Sequence, residues 1–498
     1  GTNTLVGVAD AGEIVCDGSN SRVRVGAGTT FSGLRIRGVN GGASFAPGYV
    51  ISFPIVIEGT GALGTIGLDT LGAGSLTLGP AASITAVGDW TGTLSVGPSW
   101  WDTACAFTNQ GTITLAGPSR TLNLGGTSFT NAASGSISAS AGVIVNADVQ
   151  GTDSANWSSA GSFSVSDGTL HLRDNWSFSA NATVTNTTVN MDGVFAGASA
   201  LRLQRTAGTV NLAGRLDNTG QTTTLGPTSG SWRLVGGTIA GGTLATTATE
   251  SLLPTNSGGV LDSVTLTREL VFDPAISSAR IRFLGSTSAP SVRLRGPNAG
   301  ISFSPGFVIN FPIISDSPGA NTVHGLDSTA AGATLTLGPA GSFTTTPGSL
   351  SSLSIGEAWW SSASATVVNQ GLIECGSLNR TLRIVPATSF VNSGVVRARN
   401  GADATIAGLS GPVSGFDVAD AGSSIALDGN YTLAGTLSVG PGTTATLRGT
   451  WANTGSIAIN AGTLQLDGSF SLANLGAFSN SGGSVSILGT LDNSAGLT

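Results

Sequence analysis

Lysine is absent from this chain: all 20 basic residues are arginine. Such a surface offers no site to lysine-specific proteases; codon bias in a GC-rich genome explains the same fact without function. Charge of either sign is scarce, with Asp, Glu and Arg making up 9% of 498 residues and a net charge of 20 − 27 = −7. An acidic chain this poor in charge is not built to neutralise phosphates, so no nucleic-acid partner is expected. Three cysteines cannot make a disulfide framework. There are two histidines and no Cys/His metal spacing, so no metal and no cofactor are expected. The longest apolar stretch, Tyr49 to Ile57, is broken by Ser52 and Pro54. A membrane-spanning helix needs roughly 18 or more apolar residues, so no membrane span is expected.

What the chain has is glycine, 75 residues of it, and repetition. Ser44-Phe45-Ala46-Pro47-Gly48-Tyr49-Val50-Ile51-Ser52-Phe53-Pro54-Ile55 returns as Ser302-Phe303-Ser304-Pro305-Gly306-Phe307-Val308-Ile309-Asn310-Phe311-Pro312-Ile313, shifted by 302 − 44 = 258. Trp100-Trp101 returns as Trp359-Trp360, and Asn109-Gln110-Gly111 as Asn369-Gln370-Gly371. Two tandem homologous units follow, 1–257 and 258–498, the second expected to be a truncated copy.

A shorter rhythm runs inside each unit. Asn109 and Asn131 are 22 residues apart, Asn369 and Asn392 are 23 apart, and Asn453, Asn474 and Asn493 follow at steps of 21 and 19. Each Asn precedes or adjoins a glycine corner, where a left-handed backbone is tolerated. Asn at the same corner of successive windings can join its amides in a ladder. Between corners lie alternating segments such as Thr93-Leu94-Ser95-Val96 and Thr463-Leu464-Gln465-Leu466. Period two places the aliphatic residues on one face. No long window has helical periodicity. The pattern predicts an all-β fold, a right-handed parallel β-helix of about 20 residues per winding, whose windings bury a core only by stacking.

Two features recur in both units and are candidates for binding or assembly. Arg22, Arg24, Arg35 and Arg37 return as Arg280, Arg282, Arg293 and Arg295, each shifted by 258. The i, i+2 spacing places each pair on one strand face, with Val23, Ile36, Ile281 and Leu294 pointing inward. The pairs form either a solvated face or a cationic patch for an acidic neighbour, a lipid head group or an anionic glycan, which the planar guanidinium suits. The Trp pairs, read as strand neighbours, are expected to bury one ring and expose the other. They either pack a corner or offer rings to sugars or an adjacent fibre. The segments Phe45–Pro54 and Phe303–Pro312 are read as lateral protrusions, inter-subunit contacts or longer irregular loops.

Enzyme motifs fail. Gly59-Thr60-Gly61-Ala62-Leu63-Gly64 fits a dinucleotide pattern on paper, but no helical run follows. His324 aligns with Ile66 and Cys375 with Leu115, so neither marks a recurring site. Asp69 and Asp327 recur in Gly-Leu-Asp, and one acid per unit does not make an acid/base pair.

Gly237-Thr238-Ile239-Ala240-Gly241-Gly242-Thr243-Leu244 and Ser257-Gly258-Gly259-Val260-Leu261-Asp262-Ser263-Val264-Thr265-Leu266 resemble the repeats of giant bacterial β-strand-repeat surface proteins of adhesin or stalk type. The resemblance implies an exported, extracellular, fibrous role and carries no catalytic residues. The expected function is a non-enzymatic structural module whose partners are copies of itself or adjacent repeats. A glycan-binding adhesin passenger is the alternative, and a β-helical polysaccharide-active enzyme a distant one.

Overall fold

A computed structural model describes residues 2–9, 11–148, 156–319 and 322–494. Strands stack in parallel as a β-solenoid, and helix accounts for 2%. The two helices among the described residues are single turns, Gly197–Ala200 and Leu472–Leu475. No helix among the described residues is long and apolar enough to cross a membrane. The chain falls into two compact units, Gly1–Ala240 with Ala245–Ser251, and Gly241–Leu244 with Leu252–Thr498.

In the first unit the alternation in sequence becomes alternation in burial. Along the strand Thr112–Ala116, Ile113 and Leu115 are buried while Thr112, Thr114 and Ala116 are exposed. Parallel in-register pairing then turns each inward position into a column through successive turns. Ile84, Ile113, Ile137 and Phe163 form one such column. Phe107, Phe129 and Trp157 form another, their rings stacked at 5.5 and 5.7 Å with interplanar angles of 10° and 5°.

The second unit repeats this plan. Ile313, Phe343, Ile373, Val396 and Phe416 line up through five turns and are all buried. Val23, Ile36, Ile281 and Leu294 point inward as the arginine spacing requires.

Two expectations need correction, and the expected turn of about 20 residues has long exceptions. Arg22 pairs with Gly42, a step of 20, but Leu76 pairs with Phe107, a step of 31, and Leu335 with Val367, a step of 32. The extra residues are the loops carrying the Trp pairs. The segments read as protrusions are part of the coil wall. Phe45, Ile51, Phe53 and Ile55 are buried, as are Phe303, Phe307, Ile309 and Phe311. Aromatic and β-branched residues there fill the interior instead of leaving it.

The corner Asn ladder is also shorter than the spacing suggests. Asn109 Nδ2 donates to Asn131 Oδ1 at 2.8 Å, and Asn369 Nδ2 to Asn392 Oδ1 at 2.7 Å, all four side chains being buried. Asn453 instead donates to the carbonyls of Leu475 and Ala477, at 2.7 and 3.2 Å. Asn474 sits in the helical turn Leu472–Leu475, where its Oδ1 accepts from Ser471 N at 2.7 Å. Asn493 is exposed just past the strand Thr490–Asp492. The spacing continues there, but the inserted helical turn takes Asn474 out of the stack.

Candidate functional site

The recurring Arg and Trp residues meet in one arrangement, built once in each unit. In the first unit, parallel register sets Arg22, Gly42 and Gly67 in one outward column and Arg24, Ser44 and Asp69 in the next. The loop Gly97–Cys105 folds back over these columns. An antiparallel bridge closes it, with Thr70 N donating to Thr103 O at 3.1 Å and Thr103 N to Thr70 O at 3.0 Å.

Asp69 anchors the loop. Its side chain is fully buried, and Oδ2 accepts the backbone N–H groups of Trp100, Trp101 and Asp102 at 3.1, 2.8 and 2.9 Å. Ser44 Oγ donates to the other oxygen. Three successive amides curled around one carboxylate oxygen make an anion-binding nest, and the carboxylate supplies the charge the nest requires.

The Trp pair then lies on the sheet. A Cβ on Gly67 would overlap the Trp100 ring, so only glycine allows that approach. The two indoles meet edge to face at 5.6 Å. Arg22 sits over Trp101 at 5.1 Å from the ring centre. Arg24 grips Asp102 with two bonds, Nη2 to Oδ1 at 2.7 Å and Nε to Oδ2 at 3.4 Å. Burial pushes the Asp102 carboxyl up, but the Arg24 hydrogen bond and the charges of Arg22 and Arg24 hold it below the usual carboxylate range.

The second unit builds the same clasp. Arg280, Gly300 and Gly325 form one column, and Arg282, Ser302 and Asp327 the next. Asp327 Oδ2 accepts from Trp359, Trp360 and Ser361 N–H at 3.1, 2.7 and 2.9 Å. Ser328 and Ser362 form the closing bridge. Trp359 and Trp360 cross at 5.9 Å, and Arg280 lies 5.7 Å from the Trp360 ring centre. Two elements differ: Asp327 Oδ1 lacks the hydroxyl donor that Ser44 gives Asp69, and Ser361 stands where the first unit has Asp102. Arg282 donates to Ser361 Oγ at 3.3 Å, and neither Arg280 nor Arg282 has a carboxylate within ion-pair distance among the described residues.

The Trp pairs therefore lie on loops, not strands, and the expected one-in, one-out alternation does not apply. Trp100 is 39% exposed, whereas Trp101, Trp359 and Trp360 are half-buried. The other arginines form no single cationic patch with these. Arg35 bridges Glu13 and Glu58 at 3.0 and 2.8 Å, and Arg37 reaches Glu58 at 3.0 Å and Asp17 at 3.7 Å. Hydrogen bonds from Arg35 and then Arg37 hold the Glu58 carboxyl below its ordinary value. Arg293 pairs with Glu269 and Asp316 at 3.1 and 3.4 Å, and Arg295 with Asp316 at 3.5 Å.

Sequence reasoning set Asp69 and Asp327 aside because one acid per unit does not make a proton-transfer pair. Their role is architectural, and the signal was present: Gly-Leu-Asp recurs with the shift of the Arg pairs.

The two histidines occupy unrelated places. His171 Nδ1 lies 3.2 Å from Asp192 Oδ2 on the first unit's outer wall. His324 is fully buried in the second, and burial pushes its ring down to about 4. Cys16, Cys105 and Cys375 are buried free thiols, and burial pushes Cys105 up to about 12 and Cys375 up to about 11. Thiols held so far from the thiolate are packing groups rather than nucleophiles.

No family model, curated protein or solved structure matches the chain.

Proposed function

We propose that this chain is a non-catalytic structural module of an extracellular filament, stalk or surface fibre, of the kind that giant bacterial β-strand-repeat surface proteins contain. The observation that carries the reading is the clasp. What the duplication keeps, position by position, is a buried carboxylate holding three backbone amides, a Trp pair on a glycine column, and Arg beside it. The carboxylate fastens the loop backbone to the sheet, and the Trp pair and Arg pack over that anchor. Asp69 has both carboxylate oxygens engaged by the fold, and Asp327 has its Oδ2 engaged in the same way.

Each turn buries its apolar face only against a parallel neighbour, so a module of this kind joins its neighbours through strand edges. Sedimentation velocity over a hundredfold range of protein concentration tests this. Species that grow without a limiting size are expected; one concentration-independent species would overturn the self-assembling form of the proposal.

A further inference from the structure

The two clasps differ at one chemically decisive position. In the first unit the Arg22/Arg24 pair is closed by the chain's own carboxylate, Asp102. In the second, Ser361 is at that place, and no acid among the described residues pairs with Arg280 or Arg282. Everything that positions the pair is kept: the Asp327 nest, the Trp360 ring against Arg280, and the strand register. Exchange of Asp for Ser removes one carboxylate from a site otherwise built to hold one. Arg282 is exposed and Arg280 and Ser361 are half-buried, so a carboxylate arriving from solvent can reach them.

We propose that Arg280, Arg282 and Ser361 form an open carboxylate-binding site, and that it takes the carboxylate of a hexuronic acid residue in an acidic polysaccharide. Arg282 offers the fork that Arg24 already uses on Asp102, Arg280 adds the second charge, and Ser361 Oγ–H supplies a donor. A uronate fits better than a flexible acidic side chain for two reasons. Its carboxylate projects from a rigid ring, which loses little freedom on binding. Its pyranose ring also carries an apolar C–H face to set against the half-exposed Trp359–Trp360 pair. The site does not depend on filament assembly: either can fail while the other stands.

The chain itself supplies both controls. Ser361→Asp installs the residue the first unit already carries, so folding is preserved while the site is closed from within. Asp102→Ser opens the first unit's clasp in the same way. The probe is a galacturonate oligosaccharide, titrated calorimetrically into the full chain at low salt, with its neutral methyl ester as reference. The wild type is expected to bind the acid at one site and to ignore the ester. Ser361→Asp and Arg282→Ala are each expected to weaken binding at least tenfold with unchanged urea unfolding. Asp102→Ser is expected to raise the stoichiometry from one to two. Equal binding of acid and ester, equal binding by Ser361→Asp and wild type, or no binding of the acid at millimolar concentration would each overturn the proposal. Tighter binding of a polyglutamate peptide than of the oligosaccharide would overturn the assignment to a sugar.

Discussion

Lowering the pH is expected to destabilise the second unit through one buried histidine. His324 replaces the Ile66 of the first unit, and Ser315 replaces Ile57 in the neighbouring turn. The ring is enclosed, its Nε2 3.0 Å from the Gly296 carbonyl and its Nδ1 2.7 Å from Ser315 Oγ. A carbonyl only accepts, so Nε2 carries the proton and Nδ1 accepts from the Ser315 hydroxyl. Ser315 is bonded onward to Ser351, which lies 2.8 Å from Ser349. Burial moves the ring from 6.5 to about 4, outweighing the Gly296 hydrogen bond and the Asp316 charge, which act the other way.

The unfolded chain therefore binds a proton that the folded chain refuses. Stability from this group is complete above pH 6.5, falls as the pH drops below it, and is fully lost near pH 4. About 2.5 pH units correspond to roughly 3 kcal/mol at most. With a urea dependence of about 3 kcal/mol/M, that loss moves the midpoint by about 1 M. The control is His324→Ile with Ser315→Ile, which copies the first unit's own core. Urea unfolding of both proteins between pH 4 and 7 should show the wild type losing up to roughly 3 kcal/mol more stability than the double variant as the pH falls. Carboxylates that titrate in this window are common to both and cancel. Parallel pH dependences, agreeing within about 0.5 kcal/mol throughout, would refute the reasoning.

Removing the clasp's anchor should cost more than any surface change. Asp69→Ala and Asp327→Ala each leave three amides without their acceptor, an expected loss of about 3–5 kcal/mol by urea unfolding, with a red shift in Trp emission as the pair leaves the sheet. Gly300→Ala forces Trp360 off its seat and should destabilise by about 1–3 kcal/mol with the same spectral shift. Asn369→Ala strands Asn392 Oδ1, which accepts from Asn369 Nδ2, and the Gly371 N–H that donates to Asn369 Oδ1 at 3.1 Å, costing about 2–3 kcal/mol. Asn493→Ala, at an exposed position outside the ladder, should change stability by less than about 0.5 kcal/mol.

Much of the fold was legible because a solenoid writes its geometry locally. Period two in Thr112–Ala116 fixes which side chains enter the core, and equal spacing of Asn109 and Asn131 fixes their stacking. The misread elements share a cause: spacing along the chain does not record insertions in space. Trp100 and Trp101 adjoin each other in sequence, but a loop carries them, so strand alternation says nothing of their exposure. Asn474 keeps its interval while a helical turn removes it from register. The eight arginines looked like one feature because they share a shift, yet their partners are scattered. Glu13 and Glu58 lie more than 20 residues from Arg35, and Asp102 lies 78 from Arg24. Only the folded coil brings them together. The difference between Asp102 and Ser361 was visible as letters, but its meaning needed the knowledge that Arg24 reaches one of them.

The central claim is that the duplicated clasp belongs to a building element that extends by stacking. Electron microscopy of the purified chain at rising concentration tests it most directly. Filaments that lengthen with concentration and carry a repeat along their axis are expected. Isolated particles of one size at every concentration would contradict the claim.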